Sequence, residues 1–231
     1  MRKEFFSIFN GAVLKSRMAF ESERTTKRAC KNSREPVNLQ PITLEGAHVQ
    51  LQPLSESHHF ALSEVGLDPE LWKWIPIQVL DREQMLSYIR AALSDQEKGI
   101  SLPFATVDRA SRKVVGSTRF LNIDLPNKRV EIGATWLAKT WQRSPINTEA
   151  KYLMMRHAFE SLGCNRVEWK TDSLNTPSRN AILRLGAKQE GIFRQHMVTW
   201  NGRLRDTVYF SVIAPEWPEV KKNLEAKIRV K

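Results

Sequence analysis

Residues 130–187, VEIGATWLAKTWQRSPINTEAKYLMMRHAFESLGCNRVEWKTDSLNTPSRNAILRLGA, constrain the fold more than any other part of the chain. Val130, Ile132 and Ala134 alternate with Glu131, Gly133 and Thr135, the two-residue period of a strand with one buried face. Asn147 reads as a helix N-cap, with Glu149 in the first turn where a carboxylate suits the dipole. Ala150, Leu153, Met154, Ala158 and Leu162 then share one helical face, and Gly163 supplies the stop. Val167 and Trp169 against Glu168 and Lys170 predict a second strand. Asn175 or Ser178 caps a second helix carrying Ile182 and Leu185. Between the first strand and helix, the loop Gln142, Arg143, Ser144, Pro145, Ile146, Asn147, Thr148 places backbone amides where a helix N-terminus can hold an anion. The order strand, amide-lined loop, helix, strand predicts a site for a phosphate-bearing cofactor.

The flanking sequence is compatible with one further layer of sheet and helix. Ile42–Leu54 reads as a strand pair or one long strand broken near Gly46. Two helical stretches follow, SESHHFALSEVG and DREQMLSYIRAAL, the second capped by Asp81, with the aromatic loop LWKWIP between them. Phe104–Asp108 and Lys113–Asp124 predict a hairpin. Gly191–Trp200 and Leu204–Ile213 predict another, turning at Asn201-Gly202. Pro215 starts a terminal helix running to about Arg229.

Composition excludes several classes. The chain of 231 residues is one domain of ordinary size with an appendage. It has no run of about 18 apolar residues, so no membrane span is expected, and residues 1–20 lack the apolar core of a secretory signal. Cys30 and Cys164 lie far apart, which fits a reduced compartment, and the location expected is cytoplasmic. No metal-ligand spacing is present. Of the net charge of +11, residues 1–38 carry +5, from nine Lys/Arg against four Asp/Glu. Residues 1–38 are read as a basic, poorly ordered extension, with Phe5, Phe6, Ile8 and Phe9 leaving room for a short docking helix, and residues 39–231 as the domain. Nucleic-acid binding is not expected, because the basic stretch lacks interleaved aromatics or a recognition-helix pattern.

The motifs resemble the GNAT acetyltransferases, and within them the branch similar to ribosomal-protein N-acetyltransferases. The resemblance rests on EIG at 131–133, NTEAK at 147–151, N-x-x-S at 175–178 and LGA at 185–187, with GSTRFLNI (116–123) before and RDTVYFSV (205–212) after. It covers about residues 40–228. It implies an α/β (α+β) fold with a mixed, mostly antiparallel central sheet of about seven strands, flanked by helices and splayed at the fourth strand. It also implies acetyl-CoA as donor, bound by Thr135, Trp136 and Leu137 through the splayed strand. The loop residues Gln142, Arg143, Ser144, Ile146, Asn147 and Thr148 would take the pyrophosphate, and Asn175 and Ser178 the pantetheine and thiol. Lys139, Lys151, Arg179 and Arg184 are candidates for the remaining phosphate. Two positions depart from the family pattern. Pro145 stands where a glycine amide is expected, and Ile182 stands where many members have a tyrosine acid.

Acetyl transfer to an amine needs a neutral nucleophile. A lysine-type amine titrates near about 10.4 and an N-terminal amine near about 7.7–8.0, so a proton must be accepted. Glu131 is the candidate base, with a purely structural role as its alternative; His196 is a second candidate. Ser178 and Asn175 complete the catalytic set, and helix capping is the alternative for both. Trp72 and Trp74 are read as walls of the acceptor site, with at least one of the pair expected in the core. The acceptor is a primary amine, on a protein N-terminus or a small molecule; a homodimer is left open. The competing reading is a catalytically weak GNAT-fold module that senses acyl-CoA or binds a partner.

Overall fold

The computed structural model describes residues 39–229. The basic extension, its Phe5–Phe9 cluster and Cys30 lie outside them. Eight strands form one sheet: β1 (Leu44–Glu45), β2 (Val49–Pro53), β3 (Leu102–Asp108), β4 (Lys113–Asp124), β5 (Arg129–Leu137), β6 (Arg166–Asp172), β7 (Lys188–Val198) and β8 (Leu204–Ile213). Their spatial order is β1-β2-β3-β4-β5-β6-β8-β7. The count exceeds the expected seven because the chain breaks at Gly46, giving two short strands where one long one was an option. The helices are α1 (His59–Gly66), α2 (Arg82–Glu97), α3 (Pro145–Arg156), α4 (Thr176–Arg184) and α5 (Trp217–Arg229).

Two apolar clusters place helices on both faces of the sheet. Val130, Ile132, Phe120 and Phe210 pack with Leu153 and Met154 of α3 and with Trp217 and Leu224 of α5. On the other face Ala105 and Trp136 pack with Leu62 of α1 and Met85 and Ile89 of α2. Asp81 caps α2 by accepting from the Gln84 amide at 2.7 Å, as its sequence predicts. The β7–β8 hairpin turns through Gly202 at φ +80°, a conformation that suits glycine.

Every neighbouring pair is antiparallel except β5 and β6, which run parallel. That one parallel pair is short. It joins only Arg129–Glu131 to Arg166–Glu168, after which the two strands diverge. On its other side β5 stays paired to β4, but the register slips between Ser117 and Arg119 and inserts one extra residue in β5. Ala134, inside that bulge, has φ +46°. A non-glycine residue held there costs on the order of 1–3 kcal/mol and persists only where its surroundings over-determine it. Gly116 helps to hold it: a side chain there would come within 2.1 Å of the Trp136 carbonyl oxygen.

A buried carboxylate ties α3 to the far edge of the sheet. Glu149 accepts the backbone amides of Ala47 (2.7 Å), His48 (2.6 Å) and Val49 (2.9 Å) in the β1–β2 turn. Gly46 leaves the space for it, since a Cβ would lie 2.3 Å from the Glu149 Cδ. The expected partner of Glu149 was the helix dipole; the residue instead satisfies three amides from a segment about a hundred positions away.

Candidate active site

The divergence of β5 from β6 opens a cleft through the sheet. It comprises an inner cavity of about 450 Å3 and an outer one of about 630 Å3, which share Trp74, Thr135, Asn147, Asn175, Pro177 and Ala181 as walls. The inner cavity reaches residues on both faces of the sheet, including Glu131 on one and Trp169 on the other.

The outer cavity lies at the N-terminus of α3. The helix starts earlier than the sequence reading placed it. Ser144 is the cap, its Oγ accepting the Ile146 amide at 3.4 Å, and Pro145 occupies the first helical position. Asn147 is therefore inside the first turn, not the cap. Proline is well placed there, because the amide it lacks has no partner within the helix and its φ already suits the turn. Arg143, at φ +60°, turns the chain into the cap. Gln142, Arg143, Ser144, Lys139 and Arg184 line this cavity, although Lys139 also pairs with Asp68 at 2.8 Å. Gln142 donates to the Leu137 carbonyl at 2.9 Å, bracing the loop against β5. Ile146 and Thr148 are buried and line neither cavity. Arg179 is turned toward the Ser173 carbonyl and does not line the cleft.

Asn147 Oδ1 is buried with no protein partner, at the junction of the two cavities. An orphaned acceptor of this kind costs about 1–3 kcal/mol unless a ligand or water answers it. On the opposite wall Asn175 caps α4 and accepts the Ser178 amide at 3.1 Å. Asn175 and Ser178 line the inner cavity together with Ile182, which is apolar and buried.

The inner cavity is rich in buried charge. Glu131 is 5 % exposed; its carboxylate accepts from Asn122 Nδ2 at 2.7 Å and pairs with Lys170 Nζ at 3.0 Å. Lys151 sits one turn beyond Asn147 on the same helical face. Its Nζ donates to Thr118 Oγ1 at 2.8 Å and Thr135 Oγ1 at 2.5 Å. Burial pulls its pKa down to about 7. Lys151 is thus a buried amine in the wall of the inner cavity, not the surface phosphate partner its spacing allowed.

Three further candidates are placed clearly. Trp72 is fully buried between Tyr88 and Trp136, its indole donating to the Gly66 carbonyl at 2.8 Å, so it belongs to the core and not to the acceptor wall. Trp74, two residues on, lines both cavities. His196 is exposed on β7 against Phe193 and Tyr209, outside the cleft lining. Cys164 is a free, buried cysteine whose thiol is pushed up to about 11 by burial, which makes it a poor nucleophile. Among the described residues no group of three or more His, Cys, Asp or Glu is placed to hold a metal.

A family model described as Acetyltransferase (GNAT) domain matches residues 48–188. The chain belongs to the GNAT acetyltransferases. Its relatives include the Bacillus licheniformis protein named "Uncharacterized N-acetyltransferase p20", 29 % identical over 176 residues that make up 76 % of this chain and 98 % of that one. Among solved structures, a GCN5-related N-acetyltransferase from Brucella melitensis is 36 % identical, with a TM-score of 0.76 over 84 % of this chain and 87 % of that one. Mycobacterium smegmatis RimJ, solved in complex with CoA-disulfide, is 22 % identical, with a TM-score of 0.73 over 82 % of this chain and 96 % of that one. That last likeness is one of fold. The GNAT fold accounts for the parallel β5–β6 pair and the splay beside α3. Two buried cations of this GNAT acetyltransferase, Lys151 and Arg205, were not assigned to the inner cavity from sequence. Lys151 was read as the end of NTEAK and a phosphate candidate, and Arg205 as the start of RDTVYFSV; neither motif indicated burial in the cleft.

Proposed function

We propose that this GNAT acetyltransferase moves an acetyl group from acetyl-CoA to a primary amine by direct attack within a ternary complex. The observation that carries the reading is the opening between β5 and β6, which leads from the α3 N-terminus to the buried Glu131. The amides of the first turn of α3, with Arg143 and Ser144, suit the pyrophosphate of the donor. Pro145 subtracts one amide from this set and leaves the helix dipole in place. The backbone of Thr135–Leu137, freed from β6, runs alongside the path to the inner cavity, where it can pair with pantetheine and offer an amide to the thioester carbonyl. Asn175 and Asn147 supply polar contacts on the two walls, and Ser178 stands where a proton can reach the departing thiolate.

Glu131 then takes the proton of the attacking amine, directly or through a water. Asn122 and Lys170 hold its carboxylate in place. The amine nitrogen bonds to the acetyl carbon, the carbon–sulfur bond breaks, and CoA leaves as the thiol. Neither cysteine has a part in this scheme. The alternative, a GNAT-fold module that senses acyl-CoA with little turnover, draws on Ile182, which offers no acid where a tyrosine would.

The test is calorimetric titration of the protein with acetyl-CoA beside a Pro145→Gly variant, followed by thiol release with a panel of amines. Micromolar binding by both proteins and amine-dependent thiol release is the expected result. Binding only in Pro145→Gly would mean that the donor site has been lost. Binding without turnover on any amine would favour the sensing module.

A further inference from the structure

Arg205 of β8 is the most anomalous charged group in the cleft. It is 4 % exposed, yet its guanidinium makes one hydrogen bond, a long one of 3.4 Å to the Trp74 carbonyl, and its Nε has no partner. Among the described residues no carboxylate oxygen lies within the 4.0 Å of an ion pair with it. Burial draws its pKa below the usual arginine value. The nearby carboxylates are already engaged. Asp172, fully buried, is bonded by Arg203, and Glu131 is held by Lys170. Arg203 also lies over the Trp74 ring at 5.9 Å. Arg205 is therefore a surplus buried cation in the wall of the cavity that holds Glu131 and Trp74.

Another buried arginine differs from Arg205 in its setting and not in its count of partners. Arg119 of β4 also has an unpartnered Nε, but its guanidinium lies over the Tyr88 ring at 4.7 Å, and it lines neither cavity of the cleft. Arg205 has five N–H donors and an open cavity before it. A planar fork of this kind matches a carboxylate in two-pronged geometry, and pairing would return much of the cost of burying it.

We propose that the amine acceptor carries a carboxylate and that Arg205 binds it, which positions the amine toward Glu131. This rests on the acetyl-transfer reading of the same cleft. Two sources share the chemistry, a free amino acid and a peptide with an acidic residue close to its N-terminus.

The experiment compares acceptors that differ only as carboxylate and carboxamide: alanine with alaninamide, and Ala-Asp-amide with Ala-Asn-amide. Thiol release gives kcat/KM for the native protein, Arg205→Gln and Arg205→Lys, and calorimetry with acetyl-CoA reports the donor site of each. Comparing proteins on the same pair cancels the difference in amine basicity. The native protein is expected to prefer one carboxylate partner by about tenfold or more, mainly through KM, as for a charge-assisted bidentate pair. Arg205→Gln should lose that preference, and Arg205→Lys should keep part of it. Preference within the alanine pair identifies a free amino acid as acceptor, and preference within the dipeptide pair identifies an acidic peptide. No preference in the native protein, or the same preference in Arg205→Gln, overturns the assignment. Failure to bind acetyl-CoA or to acetylate any amine defeats the underlying reading instead. Should Arg205→Gln not fold, N-acetylalanine is compared with N-acetylalaninamide, and N-acetyl-Ala-Asp-amide with N-acetyl-Ala-Asn-amide, as product inhibitors of the native protein. Equal inhibition within both pairs would also overturn the assignment.

Discussion

The two ends of the cleft are made of different materials. At the outer end one stretch, Lys139–Asn147, supplies Lys139, Gln142, Arg143, Ser144 and Asn147 together with the backbone of a helix N-terminus, and Asn175 and Arg184 face it from α4 and its cap. At the inner end they are side chains, contributed by Glu131 of β5, Lys151 of α3, Lys170 of β6 and Arg205 of β8, with Asn122 of β4 behind Glu131. Backbone amides tolerate substitution because any residue except proline supplies one. A buried charge does not, since its partner left alone costs several kcal/mol. Donor binding should therefore withstand mutation, whereas chemistry and acceptor choice should depend on single residues.

The sharpest way to break this contrast is Glu131→Gln. It should lower kcat by about 10²–10⁴, the usual contribution of a general base, while acetyl-CoA affinity by calorimetry stays within about threefold. Normal turnover would remove Glu131 as the base. The tryptophans give the next effect. Trp72→Ala should cost about 3–5 kcal/mol in a urea titration, because it empties a fully buried site. Trp74→Ala should leave the urea midpoint nearly unchanged and raise the acceptor KM.

Lys151 offers a test by pH. Its folded pKa of about 7 lies below the ordinary lysine value near about 10.4, so the unfolded chain binds the extra proton between these limits. Stability contributed by this residue should rise as pH increases from about 7 toward 10, and Lys151→Met should flatten that rise. Urea midpoints measured at steps across that range decide it; parallel curves for the two proteins would show that Lys151 is charged in the folded state. Asn175→Ala is the smallest. It should lower stability by about 1 kcal/mol through loss of the α4 cap and weaken acetyl-CoA several-fold. Asn175→Asp keeps a capping oxygen, so stability retained with affinity lost would separate the two roles.

The same contrast governs what could be read in advance. The outer end is local, and periodicity together with capping chemistry located it. The start of α3 was misplaced because Asn147 with Glu149 makes a credible cap and first turn, while Ser144-Pro145 makes another. The three amides of Ala47, His48 and Val49 engage Glu149 from elsewhere, so its carboxylate was never a guide to the helix start. The N-terminal half of the sheet, both hairpins and α5 followed from alternation and turn residues. The inner end was far less legible. Glu131 was visible as the polar face of a strand, but its engagement with Asn122 and Lys170 and the isolation of Arg205 depend on strand order. Trp72 and Trp74 look equivalent in LWKWIP, and only packing against Tyr88 and Trp136 separates them.

The strap from Glu149 to the β1–β2 turn bears on how the gene can be cut. An expression clone beginning after Val49 would retain most of the sheet yet leave a carboxylate buried beneath α3 with its three donors gone. The helix whose first turn faces the cleft would then be free to shift, and a shortened protein could remain soluble while failing to grip its donor. Deletion series meant to find the minimal catalytic unit should keep Gly46 and its neighbours, though β3 and β4 separate them in the sheet from the strand that carries Glu131.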